Sequence, residues 1–111
     1  MSDIAATNIS VTMTPEDLEI KDQGGKVSYP QISLGDGSMT YPSGGIPMPP
    51  IGKFGMEFFI KRMFINPVSP ANGNTYRYIR STNKIRIFTA TATEFSGAIP
   101  ALVLDLTVIG Q

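Results

Sequence analysis

A stretch rich in proline and glycine divides the chain near its middle, and it reads Thr40-Tyr41-Pro42-Ser43-Gly44-Gly45-Ile46-Pro47-Met48-Pro49-Pro50-Ile51-Gly52-Lys53-Phe54-Gly55. Its prolines fix φ and lack an N–H, so neither a regular helix nor a central strand is expected here. The pair Gly44-Gly45 permits a turn with positive φ that other residues resist. We therefore expect a tight turn followed by an extended, polyproline-like connection.

Two interpretations are open for the apolar side chains of this stretch. In the first, residues 41–54 form a rigid loop that docks on another protein chain, because a stiff loop loses little entropy on binding. The candidate interface residues are then Tyr41, Ile46, Pro47, Met48, Ile51 and Phe54. In the second, the loop crosses one end of its own domain and covers it, since a small domain needs most of its apolar side chains for its core.

The sequence on both sides of this stretch predicts short strands, because apolar and β-branched residues alternate with polar ones between turn signals. The predicted strands cover residues 9–13, 18–21, 27–34, 56–65, 75–79, 84–89 and 101–109. Pro30 indicates an edge strand or a bulge, and Asn66-Pro67 is expected to end the strand that begins at Met56. Thr14-Pro15-Glu16-Asp17 allows one or two helical turns as an alternative.

The last predicted strand gives the clearest core pattern. Its two faces separate cleanly, with Leu102, Leu104, Leu106 and Val108 on one face and more polar positions on the other, as antiparallel sheets require. The predicted core consists of Phe58, Ile60, Ile85, Ile87, Leu102, Leu104 and Leu106.

The pattern as a whole predicts an all-β domain. Seven or eight short strands with Gly, Pro and Asn turns are typical of an antiparallel β-sandwich or small barrel of jelly-roll or Greek-key type. A length of 111 residues suits one domain. We assign residues 8–111 to that domain and residues 1–7 to a flexible N-terminal arm. Charged residues make up only 16% of the chain, which indicates that part of the surface is covered in use.

Charge is balanced overall but unevenly distributed along the chain. The net charge is zero, while residues 1–36 carry −4 and residues 53–86 carry +6. A zero net charge argues against a general polyanion binder, since phosphate affinity needs an excess of Lys and Arg. The two segments either neutralise each other within one fold or make acidic-to-basic contacts between copies.

Catalytic and metal-binding chemistry is largely missing from the sequence. The chain has no cysteine and no histidine, which removes disulfides, thiolate sites, the commonest general base and the usual metal ligand. Asp36 lies between two glycines, but the spaced acidic ligands of a calcium loop do not follow it. We therefore expect no enzyme activity, no metal, no cofactor and no small-molecule substrate. No apolar run approaches the roughly 20 residues of a membrane span, so no membrane association is expected.

Aromatic and basic residues alternate in Tyr76-Arg77-Tyr78-Ile79-Arg80. This mixture occurs in proteins that bind single-stranded nucleic acid. The other interpretation is pairing of alternate tyrosines with side chains of a neighbouring strand. Because the net charge is zero, the sequence favours the second interpretation and no nucleic-acid partner.

Several loose motifs resemble those of small virion proteins of tailed bacteriophages, of the minor capsid and decoration (cement) type. They are Thr40-Tyr41-Pro42-x-Gly44-Gly45-Ile46-Pro47, Lys53-Phe54-Gly55, Asn83-Lys84-Ile85-Arg86-Ile87-Phe88 and Val108-Ile109-Gly110. The resemblance covers residues 26–111 and does not reach the first 25 residues.

This resemblance implies a β-rich, non-catalytic virion protein, made in the bacterial host cytoplasm, that binds the major capsid protein and its own copies. A tail or neck component and a receptor- or carbohydrate-binding β-module are the alternatives. The last would need exposed aromatic platforms, while the chain has no Trp and four Tyr.

Overall fold

The computed structural model describes residues 3–13, 18–20, 25–69 and 73–111. The structure is mostly antiparallel β, with 47% strand and 7% helix, so the predicted all-β class is confirmed. The strands are β1 (Ser10–Thr12), β2 (Leu18–Ile20), β3 (Lys26–Ser28), β4 (Gln31–Leu34), β5 (Ile46–Pro47), β6 (Ile60–Ser69), β7 (Thr75–Ile79), β8 (Lys84–Phe88) and β9 (Leu102–Gly110). In the described part of the chain, short 3-10 turns span Ala6–Asn8 and Ile51–Phe54.

The first sheet is built around β9, which has partners on both of its edges. It pairs with β6 on one side and with both β3 and β4 on the other, always antiparallel. Strands β3 and β4 keep a single register against β9, because Ser28 lies opposite Val108 and Gln31 opposite Asp105. Strands β1 and β2 pair outside β4 and β3. The sheet therefore has four rows, in the order β6, β9, β3/β4 and β1/β2.

Pro30 lies in an interior row of this sheet, so the expected edge position is wrong. Its carbonyl accepts a hydrogen bond from the Leu106 N–H at 2.9 Å, but its own nitrogen has no proton to donate in return. The missing donor coincides with the break between β3 and β4. The sheet tolerates the proline because the row is interrupted there while its register continues.

The second sheet has the order β5-β8-β7. Ile85 at its centre lies opposite Ile46 on one side and Tyr78 on the other. The predicted turn at residues 80–83 joins β7 to β8, and Asn83 adopts a φ of 53°, a left-handed value that asparagine tolerates better than most residues.

The core lies between the two sheets and confirms six of the seven predicted residues, namely Ile60, Ile85, Ile87, Leu102, Leu104 and Leu106. Phe58 is the exception, because 75% of its surface is exposed. It precedes β6, in a short segment whose N–H groups at Glu57, Phe58 and Phe59 all donate to the Gln111 carbonyl. Because three successive N–H groups bond to one carbonyl, the backbone here does not alternate as it does in a strand. The predicted burial of Phe58, which assumed that alternation, is therefore wrong.

Strand β6 also differs from its predicted bounds, since it begins at Ile60 and continues through Asn66-Pro67 to Ser69. Its register against β9 shifts by one residue between Ile60 and Arg62. Because of this bulge, Ile60 and Met63 are both buried, although strict alternation placed them on opposite faces. Pro67 is accommodated because β6 is the outermost row, where a missing N–H need not break a ladder.

The described part of the predicted N-terminal arm is packed against the domain. Ile4 is 2% exposed and donates its N–H to the Thr40 carbonyl at 3.0 Å. Thr40 in turn donates its hydroxyl to the Asp3 carboxylate at 2.6 Å. Residues 3–4 thus contact the start of the Pro/Gly stretch, and Ile4 belongs to the core.

We predict that Leu104→Ala lowers the free energy of unfolding by about 2–5 kcal/mol, because Leu104 lies on the inward face of β9 and is 1% exposed. The matched control is Phe58→Ala, which removes a larger but exposed side chain and should change stability by less than about 0.5 kcal/mol. Urea denaturation of both variants measures the difference. A larger loss for Phe58→Ala than for Leu104→Ala would contradict this placement of the core.

Candidate interaction surface

The structure places the six candidate interface residues mostly inside the domain. Tyr41, Ile46, Met48 and Phe54 are buried, and Ile51 packs half-buried against the same core. Pro47 is half-buried in β5. The docking interpretation assigned these side chains to another chain, whereas here they cover the chain's own core. The physical reason is that the domain is small, so one end of its sheets stays open unless this stretch covers it.

Hydrogen bonds hold the Pro/Gly stretch in place at several points. The Met48 N–H donates to the Asn83 carbonyl at 2.9 Å, and Asn83 Nδ2 donates to the Pro49 carbonyl at 3.2 Å. At the far end, the buried Ser28 hydroxyl donates to the Phe54 carbonyl at 2.6 Å. Its prolines supply no N–H of their own, so the stretch is tied through carbonyls at Pro49 and Phe54 as well as through the N–H of Met48.

Gly45 is required where the stretch enters β5. Its φ is +123°, a value that L side chains rarely adopt. An added Cβ would also lie 3.1 Å from Arg86 Cγ and from Lys84 Cβ. The glycine therefore allows both the turn and the close approach to β8.

A polar cluster at the start of the stretch joins three segments of the chain through one carboxylate. Glu94 Oε2 accepts hydrogen bonds from the Tyr41 hydroxyl at 2.7 Å, the Gly44 N–H at 3.1 Å and Arg86 Nε at 3.2 Å. The Tyr41 oxygen accepts the N–H of Ile87 at 3.2 Å. The Tyr41 ring also packs edge-on against Phe95, with 5.8 Å between the ring centroids.

This cluster changes the acidity of its members. Burial, together with the hydrogen bond to Glu94, raises the pKa of the Tyr41 hydroxyl to about 12. The hydrogen bonds from Tyr41 and Arg86 hold the pKa of the Glu94 carboxyl below its usual value. The arrangement therefore favours a neutral tyrosine and an ionised carboxylate, which is a structural role. Sequence reasoning did not single out Glu94, because no local pattern links it to a tyrosine 53 residues earlier.

Two of the five large apolar side chains that are exposed among the described residues lie on the solvent-facing side of the first sheet. Phe64 is 55% exposed and pairs with Thr107 on β9. Tyr29, 44% exposed, falls opposite the same Thr107 in the register shared by β3 and β4. Val68 on β6 is also exposed. We call the side of this sheet that bears Tyr29, Phe64 and Thr107 the outer face. Large exposed apolar side chains grouped in this way usually mark an interaction surface.

Basic residues lie directly opposite each other on the second sheet, where Arg77 pairs with Arg86. Arg86 is balanced by Glu94 and stacks over the Phe88 ring at 5.0 Å. The neighbouring Tyr76 and Tyr78 are half-buried and pack against the core. Tyr76 and Tyr78 therefore lie on the face of β7 toward the core, whereas Arg77 lies on the exposed face. The two tyrosines pair with Ile87 and Ile85 of β8, which agrees with the cross-strand interpretation.

Among the residues that the structure describes, no group of three or more Asp, Glu, His or Cys side chains could hold a metal ion. Asp36 instead accepts hydrogen bonds from the N–H and the hydroxyl of Ser38, which lower the pKa of its carboxyl. No helix within the described ranges is long and apolar enough to cross a membrane.

Comparison with known proteins found no matching family model, curated protein or solved structure.

We predict that Ile46→Ser lowers the free energy of unfolding by roughly 3–5 kcal/mol, because it removes a buried side chain and buries a hydroxyl. The control is Val68→Ser, a similar change at an exposed position of β6, with an expected loss below about 1 kcal/mol. Thermal and urea denaturation measure both. Unchanged stability of Ile46→Ser would show that the Pro/Gly stretch does not cover its own domain and would restore the docking interpretation.

We also predict an alkaline loss of stability that depends on Tyr41. The pKa of its hydroxyl is raised from 10.0 to about 12 by folding, so its contribution is complete below pH 10 and is lost as pH rises through about 12. Tyr41→Phe should therefore lose stability less steeply over that interval than the wild type. Urea denaturation at a series of pH values checks this, with Tyr29→Phe as the control at an exposed tyrosine. Equal slopes for Tyr41→Phe and the wild type would contradict it.

Proposed function

We propose that this chain is a non-enzymatic structural protein of a tailed-bacteriophage virion, a capsid decoration protein that binds the major capsid protein and its own copies. The observation that carries the proposal is the outer face, where large apolar side chains are exposed on a rigid sheet. Such a surface on a small β domain is typical of a protein that is covered by a partner in use. The sequence motifs that resemble virion proteins supply the kind of partner.

The physical demands of a capsid fit a small domain of this kind. A capsid presents many identical sites, so a weak contact per copy is sufficient when each copy touches several neighbours. A rigid sheet loses little conformational freedom on docking, which favours binding through a preformed surface. No catalytic machinery and no cofactor are needed for this role.

A tail or neck component would use the same surface chemistry, and only its position in the particle would differ. A carbohydrate-binding β-module is the second candidate from another class, because Tyr29 and Phe58 present exposed aromatic rings. Aromatic rings stack on sugar faces in many binding sites, so a glycan-array screen of the purified chain discriminates this candidate. Specific retention of a glycan would favour it over the virion role.

We predict that the chain occupies repeated positions on the capsid shell of purified phage particles, as seen by electron microscopy with labelled chain. Phe64→Ser should fold normally and yet be lost from particles, because Phe64 is an exposed member of the outer face. Arg77→Ser, an exposed change on the second sheet, is the control and should be incorporated like the wild type. Absence of the wild-type chain from particles would overturn the proposed function, and labelling at the tail or neck would correct its location.

A further inference from the structure

Three neighbouring rows of the first sheet, formed by β6, β9 and β3/β4, display a regular set of residues on the outer face. Residues that lie opposite each other in paired strands point to the same side of a sheet, so the register identifies them. They are Arg62, Phe64 and Asn66 on β6, Val103, Asp105, Thr107 and Ile109 on β9, and Val27, Tyr29, Gln31 and Ser33 in the β3/β4 row. All of them are exposed or half-buried.

This part of the outer face is poor in charge and has aromatic rings at its centre. Of the residues in these three rows, Arg62 and Asp105 alone are charged. Phe64, Thr107 and Tyr29 lie side by side across the middle of the face, and both rings are exposed. Depletion of charge together with exposed aromatic side chains is the composition found at the centre of protein interfaces.

The two charges are placed symmetrically about the centre of the face. Arg62 lies two residues from Phe64 along β6, opposite Ile109. Asp105 lies two residues from Thr107 along β9, in the other direction. Because Phe64 and Thr107 are themselves opposite each other, the midpoint between Arg62 and Asp105 falls midway between Phe64 and Thr107.

The two charges do not neutralise each other within one copy. With about 4.8 Å between strands and about 3.4 Å per residue, their positions in the sheet are about 14 Å apart. The ion pairs recorded in the described part of the chain include neither of them. Asp105 accepts a hydrogen bond from Gln31 Nε2 at 2.8 Å, but the amide is neutral and leaves the carboxylate charge uncompensated.

A two-fold axis through the midpoint makes the outer face complementary to itself. When two copies are set face to face about such an axis, perpendicular to the line from Arg62 to Asp105, each Arg62 lies over Asp105 of the other copy. Phe64 and Thr107 lie close to the axis, so each meets the same residue of the second copy. The strands of the two copies then cross at about 40°, near the angle of about 30° that is common in packed sheets.

We propose that the outer face is occupied by a second copy of this chain, in an isologous dimer held by Phe64 at the axis and by two Arg62–Asp105 pairs. A contact of this kind closes on itself, so it stops at two copies. The inference rests on the proposed function, because it names a sister copy as the partner of the surface on which that function is based.

The shape of the sheet limits the size of this contact. The first sheet is curled around the core, so two outer faces approach each other closely only around the axis. A contact of three strands and a few rows falls at the small end of specific interfaces, where association is weak and reversible. On a shell with many sites, weak dimer contacts add to the contacts with the shell itself.

The test reverses each charge in the purified chain. Arg62→Glu and Asp105→Arg should each weaken dimer formation about tenfold, because both symmetric pairs become repulsive. Sedimentation equilibrium over a range of concentrations and salt measures the change, and rising salt should weaken the wild-type dimer. Arg77→Glu is the matched control, with the same charge change on the second sheet, and should associate like the wild type.

An equimolar mixture of the two charge variants gives the sharpest result. In a mixed dimer, the reversed side chain of one variant faces the reversed side chain of the other, and the native Arg62 faces the native Asp105. Both pairs are again attractive, so the mixture should recover wild-type association as mixed dimers. No recovery, an equal loss in Arg77→Glu, or growth of the wild type beyond two copies would each overturn the inference.

Circular dichroism of each variant identifies any loss of folding. If a reversal prevents folding, Arg62→Gln and Asp105→Asn decide, because each removes the attraction without adding repulsion and should weaken the dimer about threefold. Wild-type association of both neutral variants would overturn the inference. A wild-type chain that stays monomeric up to about 1 mM would overturn it as well.

Chemical cross-linking tests the position of the axis. The natural chain has no cysteine, so Thr107→Cys introduces a single thiol close to the axis. A bis-maleimide with a reach of about 10 Å, the spacing of packed sheets, should join two such copies. Ser33→Cys is the control, since Ser33 lies on the same face but opposite Val103, far from the axis. Equal yields of cross-linked dimer from the two variants would contradict this arrangement.

The outcomes are separable from those for the proposed function. A dimer with the expected charge dependence, formed by a chain that is absent from phage particles, would overturn the function and keep the inference. A chain that is incorporated into particles but fails the mixing and cross-linking tests would overturn the inference and keep the function, with the outer face then assigned to the shell.

Discussion

The hydrogen bonding of β9 on both of its edges is the constraint on which the rest of the structure depends. Every other row of the first sheet is positioned by its register against this strand or against a strand that β9 holds. The strand is nine residues long, and alternate side chains are buried along its whole length. At its end, a Cβ on Gly110 would lie 2.2 Å from the Phe59 carbonyl oxygen. The glycine therefore permits the close approach with which β6 begins.

The Pro/Gly stretch covers an end of the core that the two sheets would otherwise leave open. Two sheets in a chain of 111 residues enclose a thin core, and the ends of that core need covering. The stretch supplies apolar side chains there, and its carbonyls are bonded by Asn83 and Ser28 from other parts of the chain. Glu94 fixes its start by accepting from Tyr41, Gly44 and Arg86 together. A half-buried polar cluster of this kind favours one arrangement, because each donor would lose this partner in any other.

Since the stretch is used within the domain, the exposed apolar surface of the described residues lies elsewhere. Tyr29 and Phe64 are exposed on the outer face of the first sheet, where both lie opposite Thr107. They share this face because residues that lie opposite each other in neighbouring strands point to the same side of the sheet.

The sequence by itself determined the all-β class, the β7–β8 hairpin and the inward face of β9. These features depend on alternation over a few neighbouring residues, and the physical cause, burial of one face of a strand, acts locally. The sequence also identified the apolar members of the Pro/Gly stretch, although it left open whether they cover their own domain or another chain.

Only the tertiary structure decided the remaining features. The bulge that buries both Ile60 and Met63, the exposure of Phe58 and the interior position of Pro30 all arise from pairing with β9, which is distant in sequence. Tyr29, Phe64 and Thr107 of the outer face likewise come from separate parts of the chain, and no local pattern relates them. Register between distant strands is set by the summed packing and hydrogen bonding of whole rows, and a one-residue shift moves every later side chain to the other face. For that reason the strands could be read from the sequence, while their partners and the surfaces that they form together could not.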